Sequence, residues 1–559
     1  MVVPAAHGRA VEREDALDHL EATRLDVLVI GGGVTGAGVA LDAVTRGYTC
    51  ALVERDDLAS GTSSKSSKLV HGGVRYLAQH DFGLVREAAQ ERDLLRRVAP
   101  HLAQPLGFVV PLKDRVTEAQ MHAGLLLYGI LATWRNVERY QTVDPGELLA
   151  AAPLTGGFDR GALRYYDART DDARLTLQIA QTARQHGGLV VNHAEVTGLL
   201  RAGDRVRGAT VVDRLAGREL DVEARWVVSA TGVWAGELHR LATDDPTRIA
   251  PSKGIHLTFD RTQLPVDEAI VIPSHAGDGR LAFVVPWDDQ VYVGTTDEHH
   301  PGSLDEPSVG PAEAAYLLHA LNGSFGTSLT PADAVGAWAG LRPLLRPRDD
   351  GQPAHRSADL SRRHAIVEHP SGFLTITGGK LTTYRRMAQD LVDRIASADA
   401  NHAPCVTAHL PLGVHGDGAA GLRRVEALCE AFEVDRSLAP SLFLRHGDAA
   451  ARVLAFATEH GEADRLLPHL PYLRGEVRWA VRQELARTVD DVLQRRLRVS
   501  LRDRFAGGPA VAHTAGVLAE ELGLDRQTAG AQIEAYFGRV ATERGIVPLQ
   551  HTLPVAVTP

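Results

Sequence analysis

The segment Ser63–Leu77 (SSKSSKLVHGGVRYL) is rich in groups that bind anions and move protons, and poor in groups that fill a core. Hydroxyls, Lys65 and Lys68 precede His71; Gly72, Gly73, Arg75 and Tyr76 follow it. A histidine can hold a proton near neutral pH. Ammonium and guanidinium groups suit anionic ligands, and paired glycines let a flat ring approach the backbone. A second stretch, TITGGKLTTYRRMAQDLVDRI (Thr375–Ile395), closes an apolar run at Gly378–Gly379 and opens a helix near Leu381. Lys380 and the helix N-terminus then offer positive charge at one point. The chain has five lysines, Lys65, Lys68, Lys113, Lys253 and Lys380, among many arginines. Four of the five fall in segments of this kind, where a compact ammonium rather than a planar guanidinium is called for.

The elements that position these groups begin with DVLVIGGGVTGAGVALDAVTRGYTCALVER (Asp26–Arg55). Val27–Ile30 reads as a buried parallel strand, Val34 to Arg46 as a helix stopped by Gly47, and Tyr48–Val53 as a second strand. Gly31, Gly33 and Gly36 form G-x-G-x-x-G between the first strand and the helix. The first glycine permits the tight turn, the second lets a pyrophosphate approach, and the third lets helix and strand pack closely. Glu54 ends the second strand, where a carboxylate accepts the hydrogens of an adenosine ribose and disfavours a 2′-phosphate. Strand, glycines, helix, strand and acid in register specify a dinucleotide site. The chain then departs from a nicotinamide domain. Its next loop carries Thr62, Ser63, Ser64, Ser67, Lys68, Leu69, Gly72 and Gly73, able to wrap a pyrophosphate, a ribityl chain and a flat ring, as a permanently held FAD requires. ARWVVSATGVWAG (Ala224–Gly236) adds a strand ending at Thr231–Gly232, a second backbone approach to the cofactor.

Several stretches resemble the FAD-dependent glycerol-3-phosphate dehydrogenase family: IGGGVTGAGVALDAVTRG, SGTSSKSSKLVHGGVRYL, DARTDDARL, KGIHL, PWDDQVYVGTTD, GLRPLL and TGGKLTTYRRMA. The likeness runs in order from about residue 24 to 395 and continues more weakly through Leu473–Arg504. It implies oxidation of sn-glycerol 3-phosphate to dihydroxyacetone phosphate by hydride transfer from C2 to flavin N5. It also implies electron delivery to a membrane quinone by a protein on the inner face of the cell membrane. Related readings on the same scaffold are an oxidase using oxygen and an amine or amino-acid oxidase. A homodimer is compatible with the family.

That chemistry needs a base, an aimed C2 and an anchored phosphate. Arg75, Tyr76, Lys253, Arg342 and a residue of SRRHA are the candidate anchors. Arg362 aligns with the family's arginine, and the neighbouring Arg363 leaves the choice between the two open. His71 and His256 are the candidate bases, His71 the preferred one, with Arg342 lowering the cost of an alkoxide. Lys380 and the helix after Gly379, through Leu381 and Thr382, would stabilise negative charge on a reduced flavin.

The fold class expected is α/β: an FAD-binding Rossmann-like domain, an antiparallel-sheet substrate cap and a C-terminal helical domain. Residues 1–23 read as an N-terminal extension, 24–398 as the oxidoreductase region, 399–420 as a linker, 421–540 as helical and 541–559 as a tail. Cofactor segments are expected at about 24–100, 170–235 and 335–398, with strands of the cap over His256–Asp297. The 559 residues, 44% of them hydrophobic, suffice for roughly two to four domains. A net charge of −10 excludes a general nucleic-acid binder. Cys50, Cys405 and Cys429 are too few and too scattered for a disulfide framework or a zinc site, and suit a reducing cytosol. Residues 1–24 lack a secretory apolar run. Ala123–Trp134 is too short to span a bilayer and reads as a buried helix, which leaves room for a protein lying on a membrane. Arg495, Arg496, Arg498, Arg502 and Arg504 read as a solvated helix face paired with acids.

Overall fold

The computed structural model describes residues 13–74, 77, 81–132, 139–155, 158–242, 249–345 and 363–550. Short apolar runs bounded by glycine build the first sheet. Its order is His364–Glu368, Leu374–Gly378, Glu219–Ser229, Leu25–Ile30, Cys50–Val53, Leu189–Val191. Val27 stands opposite Cys50 on one side and Trp226 on the other, both in parallel pairings. Such strands are buried on both faces, which is why they read as continuous apolar runs. Helices Val34–Thr45, Asp172–Gln185 and Tyr384–Ala398 cover one face, where Ala37, Leu41, Leu175, Ile179, Met387 and Leu391 form the core.

A second, ten-stranded sheet carries the cap. Ile249–Asp260, Gln290–Gly294, Leu281–Trp287 and Ala269–Pro273 pair antiparallel in that order, as the alternation over His256–Asp297 leads one to expect. Ala269–Pro273 then pairs parallel with Gln104–Pro111, so the sheet is mixed. Gly336–Leu345, grouped by its sequence with the cofactor segments, pairs along its whole length with Ile249–Asp260 and belongs to this sheet. That pairing sets Arg342 opposite Ser252 and Trp338 opposite His256.

Helices from Gly418–Ala431 to Arg526–Arg544 make the C-terminal domain. Both ends of the described chain are more built-in than their composition suggests. Arg13–Ala22 is a helix that buries Leu17 and Leu20 against the first sheet, and Arg13 donates to Asn192 O and His193 O. Val547 is buried in the cap core, so the tail begins later than 541. Among the described residues no helix is long and apolar enough to cross a membrane.

Glu476 ties this last domain together. Its carboxylate accepts from Arg445 Nε and Nη2, His446 Nε2 and Leu473 N, each within 2.9 Å. Burial works to raise its pKa, but the Arg445 charge and the hydrogen bonds outweigh burial and hold it at about 2, against 4.5 ordinarily. The unfolded chain therefore binds the proton first, and the contribution is full above pH 4.5 and lost as pH falls toward 2. The stability gap between wild type and Glu476→Gln should be about 3 kcal/mol at neutral pH and close toward zero at about pH 2. Urea melts followed by circular dichroism measure it.

Candidate active site

A cavity of about 610 Å³ opens where the parallel strands of the first sheet end and the edge of the cap sheet begins. Gly31, Gly33 and Glu54 come from the nucleotide motif, and Thr62, Ser63, Ser67, Leu69 and His71 from the loop after it. Thr231 and Gly232 follow the Glu219–Ser229 strand; His256 and Arg342 come from the cap sheet; Gly379, Lys380, Leu381 and Thr382 precede the last helix of the first domain. Sixteen of the candidate catalytic and cofactor-binding residues named from the sequence thus share one wall.

The nucleotide end is shaped by close packing. A Cβ on Gly36 would lie 1.9 Å from Gly31 O, so the third glycine seats the helix on the turn and lies outside the cavity wall. Helix Val34–Thr45 has Gly33 as its N-cap and no side-chain cap. Ser63 Oγ accepts from Val34 N at 2.9 Å, fixing the serine loop over this helix start, a ready site for a pyrophosphate. Glu54 accepts from Gly32 N at 2.6 Å and Asp56 N at 2.9 Å, one bond on each oxygen, which leaves each with capacity for a ribose hydroxyl. Burial raises its pKa, opposed by those two backbone hydrogen bonds. Val196, Leu238 and Leu241 add apolar wall. The donors and the acid fit FAD.

The reactive end is held by the cap. Arg342 donates to Asp297 Oδ1 at 3.3 Å, Thr295 Oγ1 at 3.2 Å and Thr296 O at 3.2 Å. Ser252 Oγ in turn donates to Asp297, so the guanidinium is oriented from two strands. His256 stacks on Trp338 with ring centroids 4.5 Å apart, and its Nε2 bonds Ser67 Oγ at 2.8 Å. Its Nδ1 is buried without a hydrogen-bond partner. Burial, then the charges of Lys68 and Arg342, push its pKa well below 6.5, so the ring stays neutral at physiological pH. His71 is half-buried, and its N–H donates to Thr382 Oγ1 at 3.2 Å. That bond links the histidine segment to the turn Leu381–Thr383, where Lys380 stands as N-cap.

Several expected ligands face elsewhere. Lys68 Nζ lies 3.0 Å from Asp172 and 3.1 Å from Ser64 O, buried beneath the loop rather than in the wall. Ser64 is buried, and Gly72 N donates to Tyr128 Oη and Asp167; neither these residues nor Gly73 line the cavity. Lys253 Nζ meets Glu313 at 2.7 Å and Ser308 O at 3.0 Å, which removes it from phosphate binding. Arg363 pairs with Asp81 at 2.7 Å. Arg75, Tyr76 and Arg362 lie outside the described residues. Wall residues not proposed as ligands from sequence include Trp234, Gly254 and Pro343, while Lys65 of the anion-binding segment does reach the wall. Trp234 was legible: it stands two residues after Gly232, and its Nε1 donates to Asp305 at 2.8 Å while Arg55 covers its ring.

Residues 26–385 match the family described as FAD dependent oxidoreductase. Residues 405–529 match the C-terminal domain of alpha-glycerophosphate oxidase. The glycerol-3-phosphate dehydrogenase of Mycobacterium leprae is 38% identical over 550 residues, 97% of this chain and 92% of that protein. The chain belongs to the FAD-dependent glycerol-3-phosphate dehydrogenase family. The structure of the Bacillus halodurans family member complexed with FAD superposes with a TM-score of 0.81 at 29% identity, covering 98% of this chain and all of that one. L-alpha-glycerophosphate oxidase from Mycoplasma pneumoniae shares the fold, with a TM-score of 0.53 at 19% identity over 67% of this chain and 95% of that one. As in this dehydrogenase family, the cofactor is FAD and the protein is an oxidoreductase.

Proposed function

We propose that the chain oxidises sn-glycerol 3-phosphate to dihydroxyacetone phosphate and passes the electrons to a membrane quinone. The observation that carries this reading is the sharing of one cavity by the dinucleotide motif and by His71, Arg342 and Lys380. FAD, when bound, supplies the acceptor for the C2 hydride. His71 takes the hydroxyl proton. Arg342, aimed by Asp297 and Thr295, holds the anionic substrate and stabilises charge on its oxygen. Lys380 and the helix start behind it hold positive potential against the charge that reduction creates. Neutral His256 orients the loop through Ser67 rather than serving as base.

The membrane part of the reading has its own support. Helix Arg115–Leu131 buries Leu125 and Tyr128 but exposes Val116 at 67%, Leu126 at 47% and Ile130 at 50%. At 3.6 residues per turn those three fall within about 80° of one another, opposite the buried pair. An apolar stripe of this kind suits a lipid surface at the cytoplasmic face. The buried face of the same helix touches the His71 segment, since Tyr128 Oη accepts from Gly72 N.

Turnover of glycerol 3-phosphate with a short-chain quinone, compared with oxygen as acceptor, tests the function. Fast reoxidation by the quinone and slow reoxidation by oxygen are expected; the reverse makes the protein an oxidase. Asp297→Asn should lower kcat/KM for glycerol 3-phosphate about tenfold, by removing a charge-assisted bond that aims Arg342. Steady-state kinetics on FAD-loaded protein checks it.

A further inference from the structure

We propose that the C-terminal helical domain is part of the cofactor site, and that Arg498 is a positioning residue for the loop that cradles FAD. The loop's wall residues, Thr62, Ser63, Lys65, Ser66 and Ser67, lie between two buried acidic anchors. At one end Asp57, fully buried, accepts from Arg495 Nε and Arg496 Nη1, both at 2.6 Å, and from Arg496 Nη2 at 2.9 Å. At the other, Asp172 accepts from Ser66 N at 2.9 Å, Ser66 Oγ at 2.7 Å, Lys68 Nζ at 3.0 Å and Arg498 Nη2. The same Arg498 nitrogen donates to Ser64 O at 3.0 Å, so one guanidinium joins the loop's backbone to its acidic anchor.

These arginines were expected on a solvated face; Arg495, Arg496, Arg498 and Arg502 are buried, and Arg504 donates to the carbonyls of Ala332 and Asp333. Asp491–Arg496 winds as a π-helix, and the consecutive Arg495 and Arg496 at its end both reach Asp57 through their long side chains. Arg498 sits in the left-handed region at φ +60°, a conformation uncommon for a side-chain-bearing residue and kept where surrounding contacts over-determine it. Asp57 also lies near His193 and Asp491 in a cluster of metal-ligating types. Arg495 and Arg496 fill that cluster with charge, so it reads as an ionic anchor.

The inference concerns the flavin and is independent of the substrate. The holoprotein is diluted, and FAD release is followed as the rise in free-flavin fluorescence. Arg498→Met should release FAD about tenfold faster and alter the vibronic shape of the bound-flavin spectrum, since buried Asp172 would be left with Lys68 as one of its two cations and Ser64 O would lose its guanidinium donor, which loosens the loop at Ser66. Arg498→Lys keeps the charge without the planar fork and should show a smaller change in the same direction, which keeps the test decisive if Arg498→Met does not fold. Arg445→Met, which breaks the Glu476 contact within the C-terminal domain, separates loop positioning from general instability. It should lower the melting temperature without changing FAD release. Folded Arg498 variants that hold FAD as tightly as wild type, or an Arg445→Met protein that loses it just as fast, would overturn the proposal.

Discussion

His71→Asn is expected to lower kcat with glycerol 3-phosphate about 10² to 10⁴-fold, the range for removing a positioned general base. FAD content and substrate binding should change little, because the backbone N–H of residue 71, not its ring, makes the bond to Thr382. His256→Asn separates the two histidines. Its ring is a neutral spacer between Trp338 and Ser67, so its loss should weaken flavin binding and disturb the flavin spectrum rather than remove the base. Rapid-mixing reduction of both variants, with FAD quantified per chain, checks the assignment. A catalytically silent His71→Asn alongside a catalytically dead, flavin-replete His256→Asn would exchange the roles.

The second large effect is at Arg342. Arg342→Ala should cost about 10² to 10³-fold in kcat/KM, the scale for losing one preorganised charge-stabilising donor. The loss should divide between KM and kcat, since a guanidinium that both anchors the anion and stabilises its reacting oxygen acts in ground and transition states. Arg342→Lys should recover only part, because Thr295 Oγ1, Thr296 O and Asp297 are arranged for a fork and not for a point charge. Steady-state kinetics with visible spectra before and after substrate measure both; unchanged kcat/KM in Arg342→Ala would remove the arginine from the site.

The nucleotide half of the site was legible because its physics is local. Gly31, Gly33, Gly36 and Glu54 act within one strand–helix–strand unit, where spacing alone dictates the turn, the anion site and the acid. His71 and Lys380 were legible for a related reason: each follows or sits beside a glycine pair in a chain otherwise poor in lysine. The cations that the reading misplaced share the opposite property. Lys68 meets Asp172, Lys253 meets Glu313, and Arg496 meets Asp57, partners separated by tens to hundreds of residues. A cation looks the same in sequence whether it faces a ligand, water or a buried carboxylate; only tertiary structure brings the acid. The segment 335–398 is grouped whole with the cofactor segments by sequence, yet its strand Gly336–Leu345 pairs with Ile249–Asp260 in the cap sheet, because a strand's own residues do not name its neighbour. Helix Arg13–Ala22 was passed over because its apolar face, Ala16, Leu17 and Leu20, is short and surrounded by charge.

The most direct measurement is an anaerobic one. Glycerol 3-phosphate is added to the FAD-loaded chain without any acceptor, and the visible spectrum is recorded. Loss of the oxidised-flavin band at about 450 nm, with dihydroxyacetone phosphate formed in proportion to flavin, is the result expected of this cavity. A band left intact by saturating glycerol 3-phosphate, in protein whose flavin is still reduced by dithionite, would contradict the substrate assignment.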